Sequence, residues 1–205
     1  MFSRKPEKNN KKAIHGELNG LLSGFLTCKR LQAAKPYIKG CNRICDIGCG
    51  IYRWENIISN DAHYVGLDIE KDVIDYNKKH FGYTFYVRNI EQEDLADLGD
   101  GYDLVIMLAV LEHFAQPVIV LEKIKRLLSP NGLIVLTTPH PYGERILNYG
   151  ARLRIFSNDK HTHHQLLNKR MIMETAKISG FKILKYKQFL FGFNQLILLS
   201  QKEIQ

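Results

Sequence analysis

Cys45-Asp46-Ile47-Gly48-Cys49-Gly50 carries an apolar run directly into a glycine turn, and this junction decides the fold. Arg43 to Ile47 reads as a short buried strand, and Ile51 to Ser59 as its continuation into a helix. Glycine lacks a Cβ, so Gly48 and Gly50 let the chain turn sharply and let a ligand approach the backbone. A second strand, His63 to Leu67, ends in Gly66-Leu67-Asp68-Ile69-Glu70. Asp68 follows Asp46 by 22 positions. That is close to the spacing of about 20 at which a carboxylate meets the hydroxyls of a ribose. A carboxylate suits that task because it accepts two hydrogen bonds from a vicinal diol.

The type of nucleotide-like ligand follows from what the turn lacks. A dinucleotide fingerprint places a third glycine where this chain has Arg53, so that helix and strand pack closely and a pyrophosphate sits at the helix start. The acidic Asp46 ahead of the turn also opposes a pyrophosphate. A cofactor with a cationic head and no phosphate suits these residues better. S-adenosylmethionine, with a sulfonium and an ammonium group, is such a cofactor.

Further motifs follow in order. Tyr102-Asp103-Leu104-Val105-Ile106-Met107, then Val110-Leu111-Glu112-His113-Phe114, then Arg126-Leu127-Leu128-Ser129-Pro130-Asn131-Gly132-Leu133 complete a set spanning about residues 40 to 140. With Asp46-x-Gly48-x-Gly50 they resemble the class I S-adenosylmethionine-dependent methyltransferases of the small-molecule type, including those of ubiquinone and menaquinone biosynthesis. The resemblance implies that Gly48 and Gly50 face the methionine portion, with Asp46 near its ammonium. It implies that Asp68 holds the ribose and Ile69 packs on the adenine. Asn89-Ile90-Glu91 stands where the family usually reads Asp-Ala-Glu beside the adenine amino group, so that contact is made by an amide oxygen or lost. Met107 is placed beside the reactive methyl group. Tyr52 occupies the position of the family's third motif glycine.

The chain has 205 residues, 45% hydrophobic and 24% charged, as expected of one globular domain. Alternating apolar runs and amphipathic segments predict strands at 43–47, 63–67, 84–87, 102–107 and 132–137. Helices are predicted at 28–35, 52–59, 71–80, 117–128 and 167–179. Phe181 to Lys187 and Gln195 to Gln201 read as two closing strands. The alternation argues an α/β parallel sheet with helices on both faces. The resemblance makes it a Rossmann-like, seven-stranded sheet, mostly parallel with an antiparallel last strand. Residues 1–27 are expected to form a basic, partly flexible extension to a single domain over 28–205. Within it, 141–166 reads as a lid or acceptor-binding insertion, or as an amphipathic helix packed on the domain.

Leu18 to Leu26 and Phe189 to Leu199 are short and interrupted, well below the roughly 20 apolar residues of a membrane span. The basic start has no apolar core behind it, so a cytoplasmic protein is expected. The cysteines of Cys41-x-x-x-Cys45-x-x-x-Cys49 read as small buried thiols, and no metal site is expected there. The net charge of +8 rests partly on Arg4, Lys5, Lys8, Lys11 and Lys12. Such a run reads first as a solvated tail. It also suits peripheral contact with a membrane or another anionic partner.

Methyl transfer from a sulfonium is an in-line displacement, governed by proximity and alignment. If the acceptor is a hydroxyl, a base within hydrogen-bond reach assists, and His113 after the fourth strand is the candidate. The alternative is that His113 only lines the pocket. His140, Tyr142 and His163 are expected on the acceptor side, the last among His161-Thr162-His163-His164, whose adjacent histidines are poorly arranged to converge on one metal ion. Nucleic acid is not the expected substrate. The amino-methylating enzymes of that group carry Asn/Asp-Pro-Pro-aromatic where this chain has Leu108-Ala109-Val110-Leu111, and no cysteine follows Cys49. The sequence therefore points to methylation of a small molecule, with oxygen as the favoured acceptor atom. An RNA methyltransferase and an inactive methyltransferase-like partner subunit are the alternatives.

Overall fold

The computed structural model describes residues 21–142 and 167–201. Its framework is one seven-stranded sheet, β1 (Arg43–Ile47), β2 (His63–Asp68), β3 (Thr84–Val87), β4 (Tyr102–Leu108), β5 (Leu128–Pro139), β6 (Lys182–Phe189) and β7 (Asn194–Ser200). The spatial order is β3-β2-β1-β4-β5-β7-β6. β1 to β5 pair in parallel, and β7 runs antiparallel to both β5 and β6. The expected architecture is thus the one formed, with the chain's order reversing between β1 and β4. In open sheets of this kind, ligands bind beyond the strands' carboxyl ends at such a reversal.

Alternation along each strand divides the core between the two faces. On one face Ile44, Tyr64, Leu104, Ile106, Val135 and Leu198 pack against α1 (Leu21–Ile38) and α2 (Lys71–His80). On the other, Cys45, Val65, Val105, Ile134 and Ile197 pack against α3 (Pro117–Lys125) and α4 (Lys169–Ile178). Burying each large apolar side chain contributes about 1.5–3 kcal/mol. The start of α4 is fixed by Asn168, whose Oδ1 accepts the Met171 N–H at 3.0 Å. Exposed lysines 182, 185 and 187 on the edge strand β6 oppose pairing with another sheet.

One predicted element does not form. No helix spans 52–59, and the whole connection from β1 to β2 is turn and irregular chain. Tyr52 and Trp54 are both buried, and a spacing of two places such residues on different sides of a helix. Asn56 then adopts a left-handed φ of +63°, which ends helical continuation. The segment covers its part of the sheet with the side chains of Tyr52, Trp54 and Ile58. Tyr52 fills the third glycine position by joining an aromatic cluster, with ring centres 4.9 Å from Phe81, 5.1 Å from Tyr64 and 5.2 Å from Tyr83. Elsewhere only element ends differ. α1 runs well beyond 28–35 in both directions, and β5 starts at Leu128 rather than at 132.

Candidate active site

The glycine turn lies at the carboxyl end of β1 and remains bound to β2. The N–H groups of Gly48 and Cys49 both donate to the Leu67 carbonyl, at 2.8 and 3.0 Å. Gly48 has φ +66°, and a Cβ there would stand 2.4 Å from Val110 Cγ2. Glycine is therefore required twice at that position, by conformation and by space. Gly50 has φ +54°, but a Cβ there would meet nothing within 4 Å. The turn thus backs onto Val110, while open space lies beside Gly50.

Asp68 stands across from that turn. Its Oδ2 accepts the Gly50 N–H at 2.9 Å, and its Oδ1 accepts the Glu70 N–H at 3.0 Å. These bonds fix the carboxylate and leave each oxygen a further lone pair for a hydroxyl donor. Ile69 beside it is an apolar side chain 61% exposed. The loop after β3 begins at the same place, because Val87 pairs with Asp68 and the Arg88 N–H donates to the Asp68 carbonyl at 2.8 Å. In that loop the Asn89 Oδ1 accepts the Glu91 N–H at 3.2 Å, turning the amide along its own chain. Ile90 is buried in the core.

Asp46 lies beneath the turn. It is 3% exposed, and its Oδ2 accepts from Trp54 Nε1 at 2.8 Å and from the Tyr64 hydroxyl at 2.9 Å. Burial pushes its carboxyl up to about 7, with the Asp68 charge adding to the rise and the two donors opposing it. Burial also holds the Cys49 thiol well above its ordinary range, which keeps it protonated and inert. Met107 is fully buried within the core. Just beyond β4, Ala109 has φ +58°, and the half-buried Val110 stands behind Gly48 of the glycine turn. A non-glycine residue in the left-handed region is uncommon and clusters at functional turns.

His113 is exposed at the end of a short 3₁₀ turn, Leu111–His113, that follows β4. His140 follows β5, where its N–H donates to the Phe193 carbonyl at 2.8 Å and its Nδ1 accepts the Tyr142 N–H at 3.2 Å. That bond assigns the neutral ring's proton to Nε2. Tyr142 is 60% exposed, with its ring centre 6.2 Å from that of Phe193. His163 lies outside the described residues. Among the described residues no group of three or more His, Cys, Asp or Glu is placed to hold a metal ion, and no helix is long and apolar enough to cross a membrane.

Two supports of the site escaped the sequence reading. Asn77 of α2 is fully buried, and it donates from Nδ2 to the Gly50 carbonyl at 2.7 Å while its Oδ1 accepts the Tyr52 N–H at 3.1 Å. Its signal was a polar residue on the apolar stripe with Val73 and Ile74. Lys123 of α3 donates to three carbonyls of the loop after β3, and nothing in its local sequence indicated this.

Comparisons with known proteins give the family and the fold. The methyltransferase domain family matches residues 22–186. The chain belongs to that family, and its fold is that of the class I S-adenosylmethionine-dependent methyltransferases. Its similar proteins include the ubiquinone biosynthesis O-methyltransferase of Cereibacter sphaeroides, 37% identical over 100 residues, which are 47% of this chain and 40% of that protein. The protein of the same name from Roseobacter denitrificans is 29% identical over 170 residues, 79% of this chain and 68% of that one. The chain therefore spans from 40% to 68% of the length of these two relatives.

Solved structures with the same fold include an S-adenosylmethionine-dependent methyltransferase from Mesorhizobium loti. It has a TM-score of 0.67 and 18% identity, and the match covers 87% of this chain and 99% of that one. Another is magnesium protoporphyrin IX methyltransferase from Synechocystis with bound S-adenosylhomocysteine, with a TM-score of 0.61, 18% identity, and coverage of 87% and 83%.

Proposed function

We propose that this chain transfers a methyl group from S-adenosylmethionine to a hydroxyl oxygen of a small-molecule acceptor. The observation that carries the cofactor reading is the pairing of Gly50 and Asp68. A carboxylate with lone pairs to spare is fixed beside a turn whose open side a Cβ would enter. Exposed Ile69 adds an apolar platform next to that carboxylate. The names of the two ubiquinone biosynthesis O-methyltransferase relatives support oxygen as the acceptor atom.

When bound, S-adenosylmethionine supplies an electrophilic methyl group on sulfur. The chain's own residues bind and orient. Asp68 takes the ribose hydroxyls, Ile69 and the loop containing Asn89 and Ile90 take the base, and Gly48 and Gly50 admit the methionine end. Asp46, under the turn, supplies negative charge toward the ammonium. Met107 supports the end of β4 from within the core, and Ala109 and Val110 shape the wall beyond it. His113 accepts the acceptor's hydroxyl proton as the oxygen attacks the methyl carbon. His140 takes the Tyr142 N–H on its unprotonated nitrogen and lies beyond β5. With Tyr142 and His163 it is assigned to the acceptor's binding.

Calorimetric titration with S-adenosylmethionine, S-adenosylhomocysteine and NAD, repeated on Asp68→Ala, tests this reading. Binding of both sulfur compounds but not NAD, weakened at least tenfold by the substitution, is expected. A folded protein that binds neither sulfur compound overturns it.

A further inference from the structure

Lys123 lies on α3, and its ammonium group is fully committed to the loop that follows β3. Nζ donates to the carbonyls of Ile90 at 2.9 Å, Glu91 at 2.8 Å and Glu93 at 3.0 Å. An ammonium carries three N–H donors, so these bonds use all of them. Hydrogen bonds from a charged donor are about twice as strong as neutral ones. Three in one loop outweigh what a solvated surface lysine contributes.

The loop answers with a contact in the reverse direction. Glu91 Oε1 accepts the N–H groups of Ala115 and Gln116, at 2.7 and 3.3 Å, immediately before α3 begins at Pro117. A carboxylate at that place also complements the positive end of the helix. Inside the loop, the Glu93 side chain accepts the Asn89 N–H at 2.7 Å and receives Arg88 Nη1 at 2.9 Å. Residues 89–93 are thereby held as a compact turn against α3. Ala115 and Gln116 follow His113 by two and three positions. One side of the cleft, beginning at Asp68, is thus joined to the segment that carries the candidate base.

We infer that Lys123 is a positioning residue that sets the base-side wall of the cofactor site, and that Glu91 ties this wall to the His113 segment. The inference rests on the cofactor reading above. A planar guanidinium does not direct three donors onto three carbonyls as an ammonium does, so the geometry of Lys123 matters as well as its charge.

The test compares wild type, Lys123→Met and Lys123→Arg. Each is titrated with S-adenosylhomocysteine and with methylthioadenosine, which lacks the amino acid end. Melting temperature and amide hydrogen exchange are followed on the same proteins. Both variants are expected to remain folded at 25 °C and to lose at least tenfold in affinity. The factor is the same for the two ligands, because the loss lies on the base side. Exchange accelerates at residues 90–93 and is unchanged in β1 and β4. Unchanged affinity in both variants overturns the inference, as does a loss confined to S-adenosylhomocysteine. Wild type that binds neither ligand overturns the cofactor reading itself, and the inference with it.

Discussion

Asn77 grips the glycine turn at two points, donating to the Gly50 carbonyl at 2.7 Å and accepting the Tyr52 N–H at 3.1 Å. The two bonded groups flank Ile51, so one buried amide from α2 does the work that a helix's first turn performs when a helix follows β1. Asn77→Ala leaves both backbone groups without this partner. Each buried group so exposed costs about 1–3 kcal/mol. We expect a melting point several degrees lower and at least tenfold weaker S-adenosylhomocysteine binding, read by calorimetry. Unchanged binding would show that the turn holds its shape without the clamp.

The two glycines respond differently to alanine. Gly48→Ala drives a methyl group into Val110 and strains the backbone, so a large loss of stability is expected. Adding Val110→Ala restores part of it, leaving the conformational cost of about 1–2 kcal/mol. Gly50→Ala meets only open space. Its stability falls by that conformational term alone, while cofactor affinity falls further because the new methyl enters the cleft. Denaturant unfolding and calorimetry on the three variants separate the effects.

Asp46 makes stability depend on pH. Its carboxyl is raised from an ordinary value of about 4 to about 7 in the folded protein, chiefly by burial. Between those values the folded state keeps a proton that the unfolded chain releases. Its contribution is therefore fully present below about pH 4 and is lost as pH rises toward 7, by about 1.4 kcal/mol per unit. Asp46→Asn should flatten the stability curve between pH 5 and 7 and be the more stable protein at pH 8. Parallel wild-type and variant curves would refute the assignment. A bound ammonium favours the ionised carboxyl, so S-adenosylmethionine should bind wild type more tightly at pH 8 than at pH 6, and the variant with less pH dependence.

His113→Gln tests the proposed base. Turnover of an accepted substrate should fall about 10²- to 10⁴-fold, with S-adenosylhomocysteine affinity within threefold of wild type. His140→Gln should act mainly on the acceptor's KM. Equal kcat for wild type and His113→Gln leaves His113 only a wall.

Most of the sheet was legible because parallel strands buried on both faces read as continuous apolar runs. The pairing of Gly50 with Asp68 was foreshadowed by their positions at two successive strand ends. The helix expected at 52–59 was not there to be found. A periodicity argument scores Tyr52, Trp54 and Ile58 as apolar, but not which side of the chain each one buries. Asn77 showed only as a polar residue on an apolar stripe, and what it and Lys123 bind was hidden for a different reason. Each acts on backbone groups of a segment distant in sequence, and a backbone carbonyl carries no residue identity to match.

The connection from β1 to β2 is dense in side chains and poor in backbone bonds. Among the described residues, the backbone-to-backbone hydrogen bonds donated from 51–62 are those of the Ile57, Ile58 and Ala62 N–H groups, while Tyr52 and Trp54 are almost fully buried. Two common gauges of rigidity will therefore disagree there. Unbonded amides exchange readily with solvent, whereas the Tyr52 ring, packed among Tyr64, Phe81 and Tyr83, should flip slowly. The segment is soft to a deuteron and stiff to a ring flip.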